Sequence, residues 1–137
     1  MSDEDWGDTD ELESAGEDEA TTSESLYYPD VDTFVREHLR FIYSRAVDGR
    51  TRFWAADWWR YPEAIARLDA LWRAWEALRL DPAMGMSVWF RDHADIHMPV
   101  LFSDDGPFAA SNHSDPANHC EKGEPLPYEA PPAGLFD

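Results

Sequence analysis

Apolar residues recur at steps of three and four positions in the stretch that follows the acidic N-terminus. Seven residues make up this pattern: Val31, Phe34, Val35, Leu39, Ile42, Ala46 and Val47. Such spacing places side chains on one face of a helix. Asp30 or Asp32 can cap the first N–H groups, and Gly49 suits the left-handed position beyond a helix end. The pattern therefore predicts a first helix over about 32–47.

A second apolar stripe is longer and is bounded by two prolines. Its members are Ala64, Ile65, Leu68, Leu71, Trp72, Trp75 and Leu78. Pro62 suits the first turn of a helix, because its missing N–H would have no partner there, and Pro82 prevents continuation. The sequence predicts a second helix that has Pro62 in its first turn, carries this stripe and ends before Pro82.

The residues on either side of this stripe predict shorter elements. Residues 52–61 are too aromatic for an exposed loop, so we expect a short helical turn packed under the second helix. A third helix can begin at Asp81 or Ser87, where a side chain can cap the first N–H groups. Pro99 must end that helix, because proline cannot donate a hydrogen bond to the preceding turn.

Two short apolar runs flank a turn sequence after this third helix. The runs cover residues 100–103 and 108–110, and Asp105-Gly106 between them can supply the positive φ of a tight turn. The pattern predicts a β-hairpin over about 100–110. The fold expected from the sequence is therefore mainly α: a small three-helix domain with a minor β-hairpin.

Charge separates the helical part of the chain from its tails. Residues 1–30 hold twelve of the 29 acidic residues and none of the 11 basic ones. A segment with one-sided charge and few apolar residues cannot bury enough surface to offset its conformational entropy. We therefore expect a disordered acidic tail over 1–28, a helical domain over 29–112 and an extended, partly docked, proline-rich tail over 113–137.

Targeting signals and cysteine usage bear on the compartment. The chain carries neither a run of about 18 apolar residues nor the basic-then-apolar order of a signal peptide. Its single cysteine, Cys120, cannot form an internal disulfide, which agrees with a reducing environment. We expect a cytoplasmic protein that does not contact a membrane.

The tryptophans and arginines supply the candidate binding residues. Six of the seven tryptophans lie within residues 54–89, and ten of the eleven basic residues are arginines within residues 36–91. Helical periodicity assigns most of the tryptophans to the core, but two adjacent aromatic side chains cannot both point inward. The candidates for contact with a protein partner are Trp58, Trp59, Arg60, Tyr61, Arg36 and Arg40.

The same residues also have a nucleic-acid interpretation. Aromatic side chains stack on bases and arginines hold phosphates in proteins that bind single strands. The formal net charge of −18 opposes unaided binding of this kind. A related alternative is that the acidic tail imitates the charge of DNA, although such mimics normally display their acids on ordered structure.

The most specific chemical hypothesis is a divalent-metal site formed by His93, Asp95 and His97. On a strand the three side chains would share a face and converge, whereas on a helix only the two histidines would. The competing interpretation is that His93 caps a helix end or bonds a core carbonyl and that His97 is exposed. No separate general base, glycine-rich phosphate loop or nucleophile motif accompanies the set. We therefore favour a protein without a cofactor and without catalytic activity.

Several motifs together resemble a known family. They are Trp58-Trp59, Pro62-Glu63-Ala64, Arg67-Leu68, Ala70-Leu71-Trp72-Arg73-Ala74-Trp75-Glu76, Asp81-Pro82, Arg91-Asp92-His93, Gly106-Pro107-Phe108 and Pro131-Pro132-Ala133-Gly134-Leu135-Phe136. Over about residues 31–137 the chain resembles an uncharacterised actinobacterial family of domains of unknown function. Members occur on chromosomes, plasmids, integrative elements and phages, often near conjugation genes. The resemblance implies a mobile-element context and names no reaction.

Three classes of function follow from the sequence. The preferred one is a non-catalytic interaction or accessory protein of a mobile genetic element that contacts a protein partner. The first alternative is a metal-binding module or metal-dependent enzyme centred on His93, Asp95 and His97. The second is nucleic-acid binding through the Arg and Trp residues, or DNA mimicry by the acidic tail. The lack of a complete catalytic set in the sequence favours the first class.

Overall fold

The computed structural model describes residues 25–136, which form three helices joined by turns and contain no strand. The first helix, α1, comprises Val31–Phe34, a π-helical turn at Val35–Leu39 and a last turn at Arg40–Ile42. Asp30 caps it, since its carboxylate accepts a hydrogen bond of 2.7 Å from the backbone N–H of Thr33. The predicted helical fold is confirmed.

The first helix ends earlier than the sequence pattern predicted. Helical structure stops at Ile42, and Val47 instead exchanges two backbone hydrogen bonds of 2.9 and 3.1 Å with Cys120 as an isolated antiparallel bridge. Gly49 does adopt a positive φ of 73°, but it serves the turn after this bridge. The carbonyl of His113 lies where a Cβ on Gly49 would stand, so glycine is required there.

The second helix, α2, runs over Pro62–Leu78, as predicted from the stripe between two prolines. Its inward face carries fully buried Leu68 and Leu71. The indole N–H of Trp89 donates a hydrogen bond of 3.0 Å to the carbonyl of Leu71, which ties the third helix to this face. The helix therefore forms the centre around which the other elements pack.

The third helix, α3, comprises Gly85–Trp89, a π-helical turn at Phe90–Ala94 and a last part at Asp95–Phe102. The prediction that Pro99 ends this helix is wrong, because Pro99 lies inside it. Proline removes the hydrogen bond to the carbonyl four residues earlier, and its ring crowds that carbonyl. Burial of Met98, Leu101 and Phe102 stabilises the continued helix against that loss.

The predicted β-hairpin over 100–110 is also wrong. Residues 100–102 complete α3, and Pro107–Ala110 form a short 3-10 helix. Gly106 has an extended backbone, with φ −95° and ψ −174°, and it is needed because the Val100 carbonyl occupies the position of its missing Cβ. Buried Phe108 holds this turn against the core, and such packing outweighs the strand preference of the apolar run.

The π-helical turns of α1 and α3 have matching sequences, Val35-Arg36-Glu37-His38-Leu39 and Phe90-Arg91-Asp92-His93-Ala94. A π turn contains one residue more than an α-helical turn, so residues five apart reach the same face. Accordingly Phe34 and Leu39 are both fully buried, as are Trp89 and Ala94. The shift in register also explains why Ile42, expected on the inner face, is 38% exposed.

The segment before α1 packs against the end of α2. The buried carboxylate of Glu76 accepts hydrogen bonds from the backbone N–H groups of Tyr27 (2.9 Å) and Tyr28 (2.8 Å), and Tyr28 belongs to the core. Of the acidic tail predicted over 1–28, residues 1–24 lie outside the part of the chain that the structure describes. Residues 27 and 28 are held by these hydrogen bonds. None of the helices within residues 25–136 combines the length and the apolar character needed to cross a bilayer.

Candidate interaction surface

The adjacent tryptophans lie on a single 3-10 turn, Trp58–Arg60, between α1 and α2. Trp58 points inward and is fully buried, whereas Trp59 is half-buried and donates its indole N–H to the carbonyl of Glu129 at 2.9 Å. The exposed guanidinium of Arg60 lies 4.9 Å from the centre of the Trp59 ring and pairs with Asp57 at 3.0 Å. One tryptophan therefore serves the core and the other lies at the surface.

The remaining aromatic residues of this region belong to the interior. Tyr61 is half-buried, immediately precedes α2 and packs edge-to-face on Phe108 with 5.4 Å between ring centres. Trp72 and Trp75 on α2 are 7% and 8% exposed. These three rings are not available as a flat platform for a ligand.

Residues 125–136, which we call the C-terminal segment, lie across α1 and the tryptophan turn. The backbone N–H of Leu126 donates to the Arg40 carbonyl at 3.0 Å, and the Arg40 Nε donates back to the Leu126 carbonyl at 2.8 Å. Three residues on, the backbone N–H of Glu129 donates to the carbonyl of Ala56 at 2.9 Å. The Trp54 indole N–H donates to the Pro127 carbonyl at 2.9 Å. The segment is thus held by its main chain.

Three side chains of the C-terminal segment supplement these bonds. Leu126 is fully buried. The Tyr128 hydroxyl donates to the Asp32 carboxylate at 2.7 Å, and burial together with this bond raises the pKa of Tyr128 to about 12. The ring of Phe136 stacks on Trp58, with 5.4 Å between ring centres and 20° between planes.

The two candidate arginines of α1 both contribute to this region. Arg36 pairs with Asp32 at 3.2 Å and with Glu37 at 3.1 Å, so carboxylates on its own helix compensate its charge. Arg40 holds the C-terminal segment and also lies over two rings, 5.0 Å from the centre of Phe41 and 5.5 Å from that of Tyr128. Its guanidinium is therefore fixed in position.

The end of α1 presents apolar side chains beside this fixed guanidinium. Phe41 is 54% exposed and the next residue, Ile42, is 38% exposed. We call the group Arg40, Phe41, Ile42 and Tyr128 the aromatic surface. It combines a fixed cation, two rings and an aliphatic side chain, three of them from consecutive residues of α1 and one from the C-terminal segment.

The proposed metal ligands lie on α3, where helical geometry separates them. Asp95 accepts a hydrogen bond of 2.8 Å from the Tyr43 hydroxyl. His97 is half-buried and its Nδ1 lies 3.0 Å from Nη1 of Arg67. Burial, with help from Arg67 and from His93 nearby, lowers the pKa of His97. Within residues 25–136 no three His, Cys, Asp or Glu side chains are grouped so that they could hold a metal ion.

Two features of the region escaped the sequence-based reasoning. The first is the place where the C-terminal segment packs, of which the sequence predicted only an extended, partly docked tail. The second is Asn118, which is 8% exposed. Its carbonyl oxygen accepts from the backbone N–H of Ala56 at 2.8 Å, and its amide donates to the Asn112 carbonyl at 3.1 Å. Both features link distant parts of the chain.

Comparison with protein families identifies the unit to which these elements belong. Residues 28–132 match the family described as a domain of unknown function, DUF4913. The chain belongs to this family. The DUF4913 match spans all three helices and the C-terminal segment as far as Pro132. It confirms the prediction of an uncharacterised domain family. No match to the chain was found among curated proteins or among solved structures.

Proposed function

We propose that this DUF4913 domain is a non-catalytic protein-interaction domain that serves a mobile genetic element, and that a protein partner binds the aromatic surface. The single observation that carries the proposal is the exposure of Phe41 and Ile42 beside the fixed Arg40 guanidinium. Aromatic residues and arginine are enriched among the residues that dominate protein–protein binding energies. The mobile-element context rests on the motif resemblance.

The aromatic surface is suited to binding because it is already ordered. Arg40 is held by its hydrogen bond to the Leu126 carbonyl and by the rings of Phe41 and Tyr128. A side chain that is fixed before association loses little conformational entropy on binding. Partner contacts at this surface are therefore stronger than the same contacts from a freely rotating arginine.

The test compares capture of a partner by two surface variants. The tagged full chain is expressed in a host that carries the neighbouring genes of the element, and bound proteins are identified after crosslinking. We expect Phe41→Ser to weaken binding of a specific partner about thirtyfold, which corresponds to about 2 kcal/mol.

Leu80→Ser is the matched control, because Leu80 is 70% exposed and lies beyond the end of α2. It should capture the partner as the unmodified chain does. Thermal unfolding checks that both variants fold. If Phe41→Ser and Leu80→Ser retain the same partners in equal amounts, the aromatic surface is not the binding site and the proposal fails.

A further inference from the structure

We infer that the groove beneath the C-terminal segment is a peptide-binding site for an extended, proline-containing segment of the protein partner. The peptide groove consists of Arg40, Trp54, Ala56 and Trp59. Its ligand carries an aliphatic side chain followed two residues later by tyrosine, as Leu126 and Tyr128 do in the segment that fills the groove within the chain. This inference rests on the proposed function, since it presupposes that the domain binds a protein.

The peptide groove recognises main-chain groups of its occupant. Three side-chain N–H groups, Arg40 Nε, Trp54 Nε1 and Trp59 Nε1, donate to the carbonyls of residues 126, 127 and 129 in that order. The carbonyls of Arg40 and Ala56 accept the backbone N–H groups of residues 126 and 129. These five bonds depend on an extended backbone and on no particular side chain. A segment from another protein can form all of them.

Prolines favour such an occupant. Pro125, Pro127, Pro131 and Pro132 restrict the backbone to extended conformations, so little entropy is lost on docking. Proline-rich ligands are commonly bound by grooves lined with aromatic side chains, whose indole N–H groups suit exposed carbonyls. The two tryptophan N–H groups in the peptide groove have this arrangement.

Side-chain contacts define the ligand further. Leu126 is fully buried, and Tyr128, two residues later, reaches the Asp32 carboxylate with its hydroxyl at 2.7 Å. A ligand without the aliphatic side chain would leave a cavity, and one without the hydroxyl would lose a bond to a charged acceptor. The two-residue spacing between Leu126 and Tyr128 therefore defines the ligand sequence that the groove prefers.

An exposed linker joins the C-terminal segment to the rest of the domain. Residues 121–124 before it are all exposed, and Gly123 has open space around it. The hydrogen bonds described above join the segment to residues 32–59. A segment of another chain can form an equivalent bond in place of each of them.

The experiment releases the segment from its covalent link and asks whether a peptide replaces it. A site for a sequence-specific protease is inserted between Lys122 and Gly123 in the full chain, and the purified protein is cut. A fluorescent peptide of residues 124–137 is then added, and its binding is followed by fluorescence anisotropy. We expect the labelled peptide to exchange into the cut protein and to bind the uncut protein much more weakly, because the linked segment competes at high effective concentration.

Variant peptides test the stated ligand chemistry. Leu126→Ser should bind about thirtyfold more weakly because it loses a buried side chain. Tyr128→Phe should bind about fivefold more weakly because it loses one hydrogen bond. Ala130→Ser, at an exposed position, is the matched control and should bind as the natural sequence does.

Three outcomes would overturn the inference. Cut protein that unfolds and is not refolded by excess peptide would show that the segment is an integral part of the fold. Equal binding of all peptides would show that the groove does not select this chemistry. A dimer that exchanges segments between copies and excludes added peptide would assign the groove to a second copy. None of these outcomes affects the partner-capture test with Phe41→Ser. The proposed function and the peptide-binding groove can therefore fail independently of each other.

Discussion

The two π-helical turns share a sequence pattern but occupy different surroundings. In α1, His38 lies among the rings of Tyr28, Phe34 and Trp75, with ring centres 5.6, 5.7 and 4.8 Å away. Burial among these rings lowers the pKa of His38. In α3, the equivalent His93 lies near His97 on the same helix. The same local sequence pattern thus forms a π turn in both helices, while the neighbouring elements determine which side chains surround the histidine.

The outward arginines of the two turns show the same dependence on surroundings. Arg36 reaches back to Asp32 as well as forward to Glu37, and Asp32 in turn holds the Tyr128 hydroxyl. Arg91 pairs only with its neighbour Asp92 in the contacts observed, and both side chains are exposed. The first turn is therefore joined to the C-terminal segment, and the second faces solvent.

The largest effect is expected from removing one residue from a helix. Deletion of Asp92 converts the π turn of α3 into an α-helical turn and keeps Trp89 and Ala94 on one face, so we expect a cost of about 1–2 kcal/mol. Deletion of exposed Ala70 from α2 rotates every later inward residue by about 100°. Several buried side chains at about 1.5–3 kcal/mol each would be lost, which exceeds the stability of most domains.

Denaturant unfolding followed by tryptophan fluorescence measures both deletions. We expect a cooperative transition for the Asp92 deletion and none for the Ala70 deletion. The interpretation of the π turn as an accommodated extra residue fails if the two deletions damage the fold equally.

A smaller effect is expected from changing side-chain size at equivalent inward positions. Leu39 and Ala94 occupy the same place in the two π turns, and both are fully buried. Leu39→Ala should lower the free energy of unfolding by about 3 kcal/mol through a cavity, and Ala94→Leu by about 1–3 kcal/mol through overpacking. Leu39→Met conserves volume and should cost less than about 1.5 kcal/mol. Unfolding midpoints in urea report all three, and a stabilising Ala94→Leu would reveal unfilled space beside α3.

The smallest effect is expected from the histidine of the first turn. The pKa of His38 is lower in the folded chain than its usual value of about 6.5, so the unfolded chain binds the proton more readily. The contribution to stability is complete above about pH 6.5 and falls as the pH decreases through the folded-state pKa, by at most about 1.4 kcal/mol per pH unit. His38→Gln should flatten this part of the profile between pH 7 and pH 5.

Free energies of unfolding measured between pH 5 and pH 7 test this contribution of His38. His97→Gln is a necessary second variant, because the pKa of His97 is lowered as well and acts in the same direction. His93→Gln is the matched substitution in the second turn. A profile that His38→Gln leaves unchanged would contradict the role assigned to the rings around His38.

Sequence reasoning succeeded where the determinants are local. The bounds of α2 follow from Pro62 and from the spacing of its apolar stripe, and both act within a few residues. The hairpin prediction failed because the apolar run at 100–102 has no periodicity of its own, and burial against distant elements made it helical. The π turns were missed because a five-residue step between buried positions is not part of the usual helical pattern.

The candidate surface could be predicted only in part, for the same reason. Adjacency alone showed that Trp58 and Trp59 cannot share an environment. Which of them lies inside depends on the C-terminal segment, since Trp59 bonds Glu129, 70 positions later in the chain. The proposed metal ligands do not converge because neighbouring positions of a helix point in different directions, and Asp95 is directed toward Tyr43. Contacts between distant residues are not encoded in short motifs.

The C-terminal segment has a consequence for how the protein is made. Leu126 bonds Arg40 across 86 positions, so the residues that receive the C-terminal segment are synthesised before the segment itself. Chains grow from the N-terminus, and contacts between residues far apart in sequence form slowly. The nascent chain therefore carries Trp54 and Trp59 without their acceptors, the carbonyls of Pro127 and Glu129, until those residues have left the ribosome, and the two side chains are open to chaperones during that time.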